Sequence, residues 1–382
     1  MDFAPGEATL ALQGLARDFA RQEIAPRTDA LDQEKDPENR FPREILEKGD
    51  ALGLRTLPVP ESFGGGGADL LSLCFVAEEI GWGDLGVGVI YAQDWSLANA
   101  VSRLWDEAGF VAFAENFVQD HALHLAYVKI ADAPAPEDKS PYTSDARQSA
   151  VIQQDGDGFR LNGGARHVLN GAAAGLLLLE SDSANENERR IFLLENRDGS
   201  GVEVAQYHDP MGMRSCPDVD LRFEDVKLDH PLDCTDEKWR NAAHALRILP
   251  AAAAIGTSRK SHEHALEHAR ERVQGGKPII EHQTVGFMLC DNLMELDAAR
   301  RSLQAAAWAA EHGEDAEPWR SFLAKAFATE SCERVARRAM EVWGGAGYMT
   351  EAPMERLVRD VVAFAHAFGM GHAARSAAMD LL

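Results

Sequence analysis

Basic residues are scarce: 38 Lys and Arg stand against 62 Asp and Glu, for a formal charge of −24. Such a field repels phosphodiester backbones and anionic lipid headgroups, so no nucleic-acid partner is expected, and any anionic cofactor has to be held by local arginines. Cysteine is also sparse. The five cysteines (Cys74, Cys216, Cys234, Cys290 and Cys332) are dispersed without a CxxC, which excludes a disulfide framework and a zinc knuckle. No bound metal is expected, and the thiols read as buried apolar groups. No run approaches the roughly 18 apolar residues of a membrane span, and the start MDFAPGEATL has no basic and apolar leader pattern. A cytoplasmic protein is the resulting expectation.

What is present is ordinary globular material, 45% hydrophobic and 26% charged over 382 residues, enough for two or three domains. Three textures follow one another. Residues 1–123 read as helices: EATLALQGLARDFARQEIAP carries Leu10, Leu15, Phe19 and Ile24 near one face, and Pro26 is expected to stop that run. FPREILEKGDALGL and ADLLSLCFVAEEIGWGD repeat the pattern, with the Gly64–Gly67 stretch between them read as a flexible turn. Residues 124–232 break into short runs such as GFRLNGGARHVLN, GLLLLES, RRIFLLEN and DVDLRFEDVKL, without helices between them. This is a β-barrel or sandwich rather than a βαβ array. Residues 233–382 return to long Ala-rich helical segments that suit a four-helix bundle. The fold class is α+β multidomain, in the order helical domain, β-domain, helical bundle.

Glu341–Asp360 reads EVWGGAGYMTEAPMERLVRD, and Arg272–Gln283 reads RVQGGKPIIEHQ. Gly344, Gly345 and Gly347 lack Cβ atoms, so backbone N–H groups there can approach a pyrophosphate, and Arg272 offers a fixed cationic fork for the same anion. Together with PVPESFGGGG at Pro58–Gly67 and DVDLRFEDVKL at Asp218–Leu228, these stretches resemble the acyl-CoA dehydrogenase superfamily over nearly the whole chain. That resemblance implies FAD shared across a subunit interface, held by Arg272, Gln283, Glu341, Gly344, Gly345 and Asn170. It implies a coenzyme A contact at Arg247 and tetrameric assembly. Acyl-CoA and electron-transfer flavoprotein are the implied partners.

The same resemblance exposes a departure. Relatives remove the substrate α-proton with a Glu in a YEGT segment, nine residues beyond the Arg of the RD pair; counting from Arg359 reaches Phe368. The alternative family position, immediately before Arg247, holds Leu246. Met370 replaces the motif's Thr, Gly275 replaces a Phe, and Glu341 occupies a position where many relatives have Gln. His167 and Leu169 take the Trp and Thr positions of the flavin-contacting strand, and Ala126–Ala146 departs from the flavin loop. An imidazole could replace a carboxylate base. His372 is the better placed on helical spacing, ahead of His366, with His167 a third candidate and His244 read as a helix-surface residue. The sequence therefore points to an acyl-CoA dehydrogenase-like subunit defective in α-proton abstraction that serves as the non-catalytic partner in a heteromeric enzyme. The alternatives are an active FAD enzyme that needs no carboxylate base, performing oxygenation or elimination on an acyl thioester, and an ordinary acyl-CoA dehydrogenase with an unrecognised base.

Overall fold

The computed structural model describes residues 5–130, 150–182, 189–229, 231–232, 234–312, 317–369 and 371–382. Helix α1 (Glu7–Phe19) does not end ahead of Pro26. It runs through a π-turn at Ala20–Ile24 into α2 (Ala25–Gln33), so Pro26 follows a widened turn instead of a helix end. After α3 (Arg43–Ala51) come α4 (Leu70–Gly83), α5 (Leu85–Leu104) and α6 (Glu107–Gln119). Each of the last three starts on an aspartate cap. Asp69, Asp84 and Asp106 accept from the backbone N–H of Ser72, Val87 and Gly109 at 2.7, 3.0 and 2.8 Å. The glycine stretch at Gly64–Gly67 is not a flexible turn. Gly66 N–H donates to Thr56 O and Gly67 N–H to Val59 O, and a Cβ on Gly65 would stand 2.1 Å from the Val59 carbonyl oxygen.

Seven strands follow: β1 (His124–Ile130), β2 (Val151–Asp155), β3 (Gly158–Leu169), β4 (Ala174–Asp182), β5 (Arg189–Glu195), β6 (Val202–Tyr207) and β7 (Asp218–Leu228). They form two sheets, ordered β1-β4-β5 and β2-β3-β7-β6, with β1 and β4 parallel and the other pairs antiparallel. The sheets share an apolar core that includes Val128, Leu161, Leu177, Phe192, Leu221 and Phe223, the arrangement of a sandwich.

The chain then enters α7 (Asp236–Ala242) and the long α8 (His244–Glu271). A small hairpin of β8 (Val273–Gln274) and β9 (Lys277–Pro278) leads to α9 (Gln283–His312), α10 (Trp319–Trp343), α11 (Pro353–Ala365) and α12 (Gly371–Met379). Helices α8, α9, α10 and α11 pack together as the bundle, and α4 lies along α8. That last contact is backbone-close. A Cβ on Gly81 would stand 2.1 Å from Ala253 O, and one on Gly256 only 1.9 Å from Glu78 O. Buried ion pairs lock the same seam: Arg300 grips Glu78 at 2.8 and 2.9 Å, and Arg259 reaches Glu79 at 2.7 Å. Gly256→Ala is therefore expected to force α4 and α8 apart and destabilise the fold by about 1–3 kcal/mol. A lowered urea midpoint with unchanged slope checks this, and a wild-type midpoint contradicts it. Among the described residues no helix is long and apolar enough to cross a membrane.

Candidate functional site

A cavity of about 680 Å³ opens between the β-domain, the start of α8, α10 and the turn joining α11 to α12. Both positions singled out for a general base line it. Leu246 enters from the first turn of α8 and is buried; Phe368 enters from the α11–α12 turn and is partly buried. Phe368 is not on a helix. Its φ of 52° places it in the left-handed region, followed by Gly369 at 84°, so helical spacing does not relate it to its neighbours. His366 and His372 are exposed and do not line the cavity, which removes the argument that favoured His372. His167 does line it, with a φ of 54° and its Nδ1 3.2 Å from Asp218 Oδ2. The hydrogen bond to Asp218 raises its pKa.

Strand β4 supplies a carboxylate that sequence reasoning missed. Glu180 is buried in the cavity wall; one oxygen accepts from Tyr127 Oη and the other from the Arg189 guanidinium. Arg189 also reaches Asp236 at 3.0 Å. Both oxygens of Glu180 therefore already accept a hydrogen bond in the cavity wall. Burial, with the adjacent Glu180 charge, keeps the Tyr127 phenol protonated far above its usual range. Around these groups six cationic side chains (Lys129, Arg166, Arg189, Arg240, Arg247 and Lys325) line the cavity against three carboxylates (Glu180, Asp236 and Asp380). A strongly acidic chain has gathered a cationic interior suited to an anionic ligand.

Arg247 and His244 form one buried unit. Arg247 Nε donates to Ser321 Oγ at 2.9 Å, its Nη2 to Arg240 O at 3.2 Å, and its guanidinium lies 4.0 Å over the Phe322 ring. Burial lowers its pKa to about 10, so it stays charged at neutral pH. With its acceptor side engaged by Arg247, the Ser321 hydroxyl donates to His244 Nδ1 at 2.8 Å. His244 is thus a buried neutral imidazole and not a helix-surface residue. Desolvation, then the Arg247 charge, takes its pKa down to about 3. The native state refuses a proton that the unfolded chain accepts near pH 6.5. Its contribution to stability is complete above pH 6.5 and is lost progressively as pH falls towards 3. Replacing it by His244→Gln is expected to remove up to about 2 kcal/mol of the stability difference between pH 6.5 and pH 5. Urea titrations at the two pH values check this, and an unchanged difference contradicts it.

Lys325 on α10 was also missed. It is buried, and its Nζ donates to Ala367 O at 3.1 Å and to Gly369 O, clamping the carbonyls on either side of Phe368. Burial lowers its pKa to about 8.

The residues expected to hold a cofactor lie in two places. Arg272 and Gln283 lie at the hairpin end of α8 and α9, Glu341 in the last turn of α10, and Gly344 and Gly345 in the turn after it; all are exposed, and none lines the cavity. Gly344 has a φ of 61°, and a Cβ on Gly344 or Gly345 would meet nothing within 4 Å, so both backbones are open to an approaching group. Asn170 is fully buried. Its Nδ2 donates to Leu125 O at 3.2 Å, its φ of 63° turns the chain between β3 and β4, and its side chain does not line the cavity. Its Oδ1 has no hydrogen-bond partner among the described residues. Met370 and the altered flavin loop over residues 131–146 lie outside the described residues.

Comparison with known proteins agrees with this architecture. The profile described as "Acyl-CoA dehydrogenase, N-terminal domain" matches residues 6–108, and that described as "Acyl-CoA dehydrogenase, C-terminal domain" matches residues 239–377. The chain belongs to the acyl-CoA dehydrogenase superfamily. It is similar to a probable acyl-CoA dehydrogenase of Bacillus subtilis (strain 168), 28% identical with 94% of each chain covered. It is also similar to a 3-(aryl)acrylate reductase of Clostridium sporogenes, 29% identical with 92% of each covered. Among solved structures, butyryl-CoA dehydrogenase from Megasphaera elsdenii superposes with a TM-score of 0.86 at 26% identity, covering 100% of this chain and 99% of that one. The protein is an acyl-CoA dehydrogenase-like oxidoreductase, and members of its superfamily are FAD-binding flavoproteins.

Proposed function

We propose that this chain is the non-catalytic subunit of a heteromeric acyl-CoA dehydrogenase, defective in α-proton abstraction. The observation that carries this reading is the cavity wall: Leu246 and Phe368 both present hydrocarbon, while the Glu180 carboxylate is held by Tyr127 and Arg189. A general base must reach the proton it removes, and neither hydrocarbon position can accept one. The exposed Arg272, Gln283, Gly344 and Gly345 remain available to a second subunit. The open backbone at Gly344 and Gly345 fits a pyrophosphate, so these residues would hold FAD, with Arg272 as the cationic fork. When bound, FAD supplies the acceptor for the hydride leaving the substrate β-carbon. Arg247 and the cationic lining would receive the anionic part of an acyl-CoA.

A second reading is favoured by one observation: the cavity is retained at about 680 Å³ with Glu180 and Lys325 in its wall. This reading is an active flavoenzyme on an acyl thioester, using Glu180 as its base or needing none.

Co-expression with a catalytic acyl-CoA dehydrogenase paralogue distinguishes them, read out by native mass and visible flavin absorbance. The first reading expects a mixed tetramer with fewer than one flavin per chain and turnover only when the partner is present. A flavin-saturated homotetramer that turns over acyl-CoA alone overturns it and supports the second. Glu180→Gln in that homotetramer then decides whether Glu180 is the base.

A further inference from the structure

The end of β3 and the adjoining ends of β6 and β7 bring together four side chains at the edge of the cavity, which His167 lines: His167, His208, Asp218 and Asp220. Register places Leu169 opposite Asp218 and Val168 opposite Val219, with a bulge between Ala165 and Val168 that swings His167 outward. His208 follows β6 and is fixed by its N–H donating to Asp218 O at 2.8 Å. The imidazoles of His167 and His208 are stacked, with centroids 4.3 Å apart and planes at 25°. One ligand atom from each of His167, His208 and Asp218 lies within 4.8 Å of the other two.

The surroundings orient these groups. Asp220 is fully buried; its Oδ1 accepts from His208 Nε2 at 2.8 Å and from the His167 backbone N–H at 3.1 Å. That contact puts the proton of neutral His208 on Nε2 and leaves Nδ1 with a free lone pair. An imidazole whose second nitrogen donates to a carboxylate is the usual arrangement of a metal-bound histidine. Asp218 Oδ1 is buried without a hydrogen-bond partner among the described residues, a costly state for a carboxylate oxygen unless a cation sits beside it. The 3.2 Å between His167 Nδ1 and Asp218 Oδ2 matches the separation of neighbouring ligands around an ion bound at about 2.0–2.2 Å. The His167 side chain is 57% exposed, so its ring can rotate to close the remaining gap and the ion has an entry path.

We propose that His167, His208 and Asp218 bind one divalent transition-metal ion of zinc type, with Asp220 holding His208 in its ligating orientation. Two nitrogens and one carboxylate oxygen suit zinc, cobalt or nickel, whereas calcium and magnesium require sites built almost wholly of oxygen. Three protein ligands leave a fourth coordination position for water. The site is independent of whether the chain is catalytic.

The test uses the full-length chain, stripped with a chelator that is then removed. It is titrated with Co²⁺ by visible absorption and with Zn²⁺ by calorimetry. Saturable one-to-one binding is expected in the wild type and in Cys290→Ser, which removes the exposed thiol as a competing ligand. His167→Gln is expected to weaken binding at least 100-fold and Asp220→Asn about 10–100-fold. The His167 side chain is more than half exposed, so its variant is expected to stay folded without metal, as a cooperative thermal transition shows. Absence of stoichiometric Co²⁺ and Zn²⁺ binding, or wild-type affinity in a folded His167→Gln protein, overturns the proposal.

Discussion

Phe368→Glu is expected to give the chain the acyl-thioester dehydrogenation that the proposed function denies to the wild type. A correctly placed general base contributes 10²–10⁴-fold, so dye reduction driven by acyl-CoA should rise at least about 100-fold over the wild-type background. The backbone is already prepared, because Phe368 adopts a φ of 52° and a glutamate there meets no new strain beyond what phenylalanine bears. The surroundings hold the gain to the lower part of that range. Lys325 Nζ donates to the carbonyls of Ala367 and Gly369, so a carboxylate at 368 would form beside an ammonium that stabilises its ionised form and weakens it as a base. Leu246→Glu, on the other hydrocarbon position and next to Arg247, is the matched comparison. Flavin content must be measured in parallel, since the assay reads the base only in chains that carry a flavin. A flavin-loaded Phe368→Glu protein with no turnover, alongside a wild type whose own activity is lost in Glu180→Gln, would show that the base is Glu180. The hydrocarbon positions would then not be the cause of any defect.

The large elements were legible because their signals are local. DVDLRFEDVKL forms β7 over Asp218–Leu228, since alternation along one strand is written in consecutive residues. The glycine turn after α10 was legible for the same reason, as the conformation of Gly344 belongs to that residue alone. The cavity was only half legible. Phe368 and Leu246 were found through the resemblance, but Glu180, Tyr127, Arg189 and Lys325 lie on β4, β1, β5 and α10, and no spacing announces that these elements converge. The net charge of −24 conceals the cationic lining, because a sum over the chain carries no information on where arginines gather. His244 was misread because the AAHALR helical texture gives it the look of a surface residue. In the fold it is buried, and Ser321 approaching from α10 supplies the hydroxyl that fixes its tautomer. The histidines flanking position 368 were ranked by helical geometry in a segment that the Gly369 turn makes non-helical.

Lys325→Met is expected to unfasten the wall of the cavity. In the wild type the Lys325 ammonium satisfies two backbone carbonyls of the α11–α12 turn and stands 5.6 Å over the Phe364 ring, so one side chain from α10 fixes the turn that carries Phe368. Methionine fills similar volume but donates nothing, leaving the carbonyls of Ala367 and Gly369 without that partner at a cost of about 1–3 kcal/mol. The pH response separates this from a simple packing defect. Burial lowers the pKa of Lys325 to about 8, from an ordinary lysine value of 10.5. Between those values the unfolded chain holds a proton that the native state has released, so raising pH through this window stabilises the native state. Below about pH 8 the charged amine carries its full desolvation cost in the fold. Wild-type stability is therefore expected to rise relative to Lys325→Met from pH 8 to pH 10, as read from urea midpoints of both proteins in the same buffers. Lys260, whose pKa burial also lowers to about 8, is present in both proteins and cancels in the difference. At pH 7.5 the variant should also bind acyl-CoA at least tenfold more weakly, because the displaced turn moves Phe368 into or away from the cavity. Parallel pH curves together with wild-type acyl-CoA affinity would show that Lys325 neither titrates as its burial requires nor positions the turn.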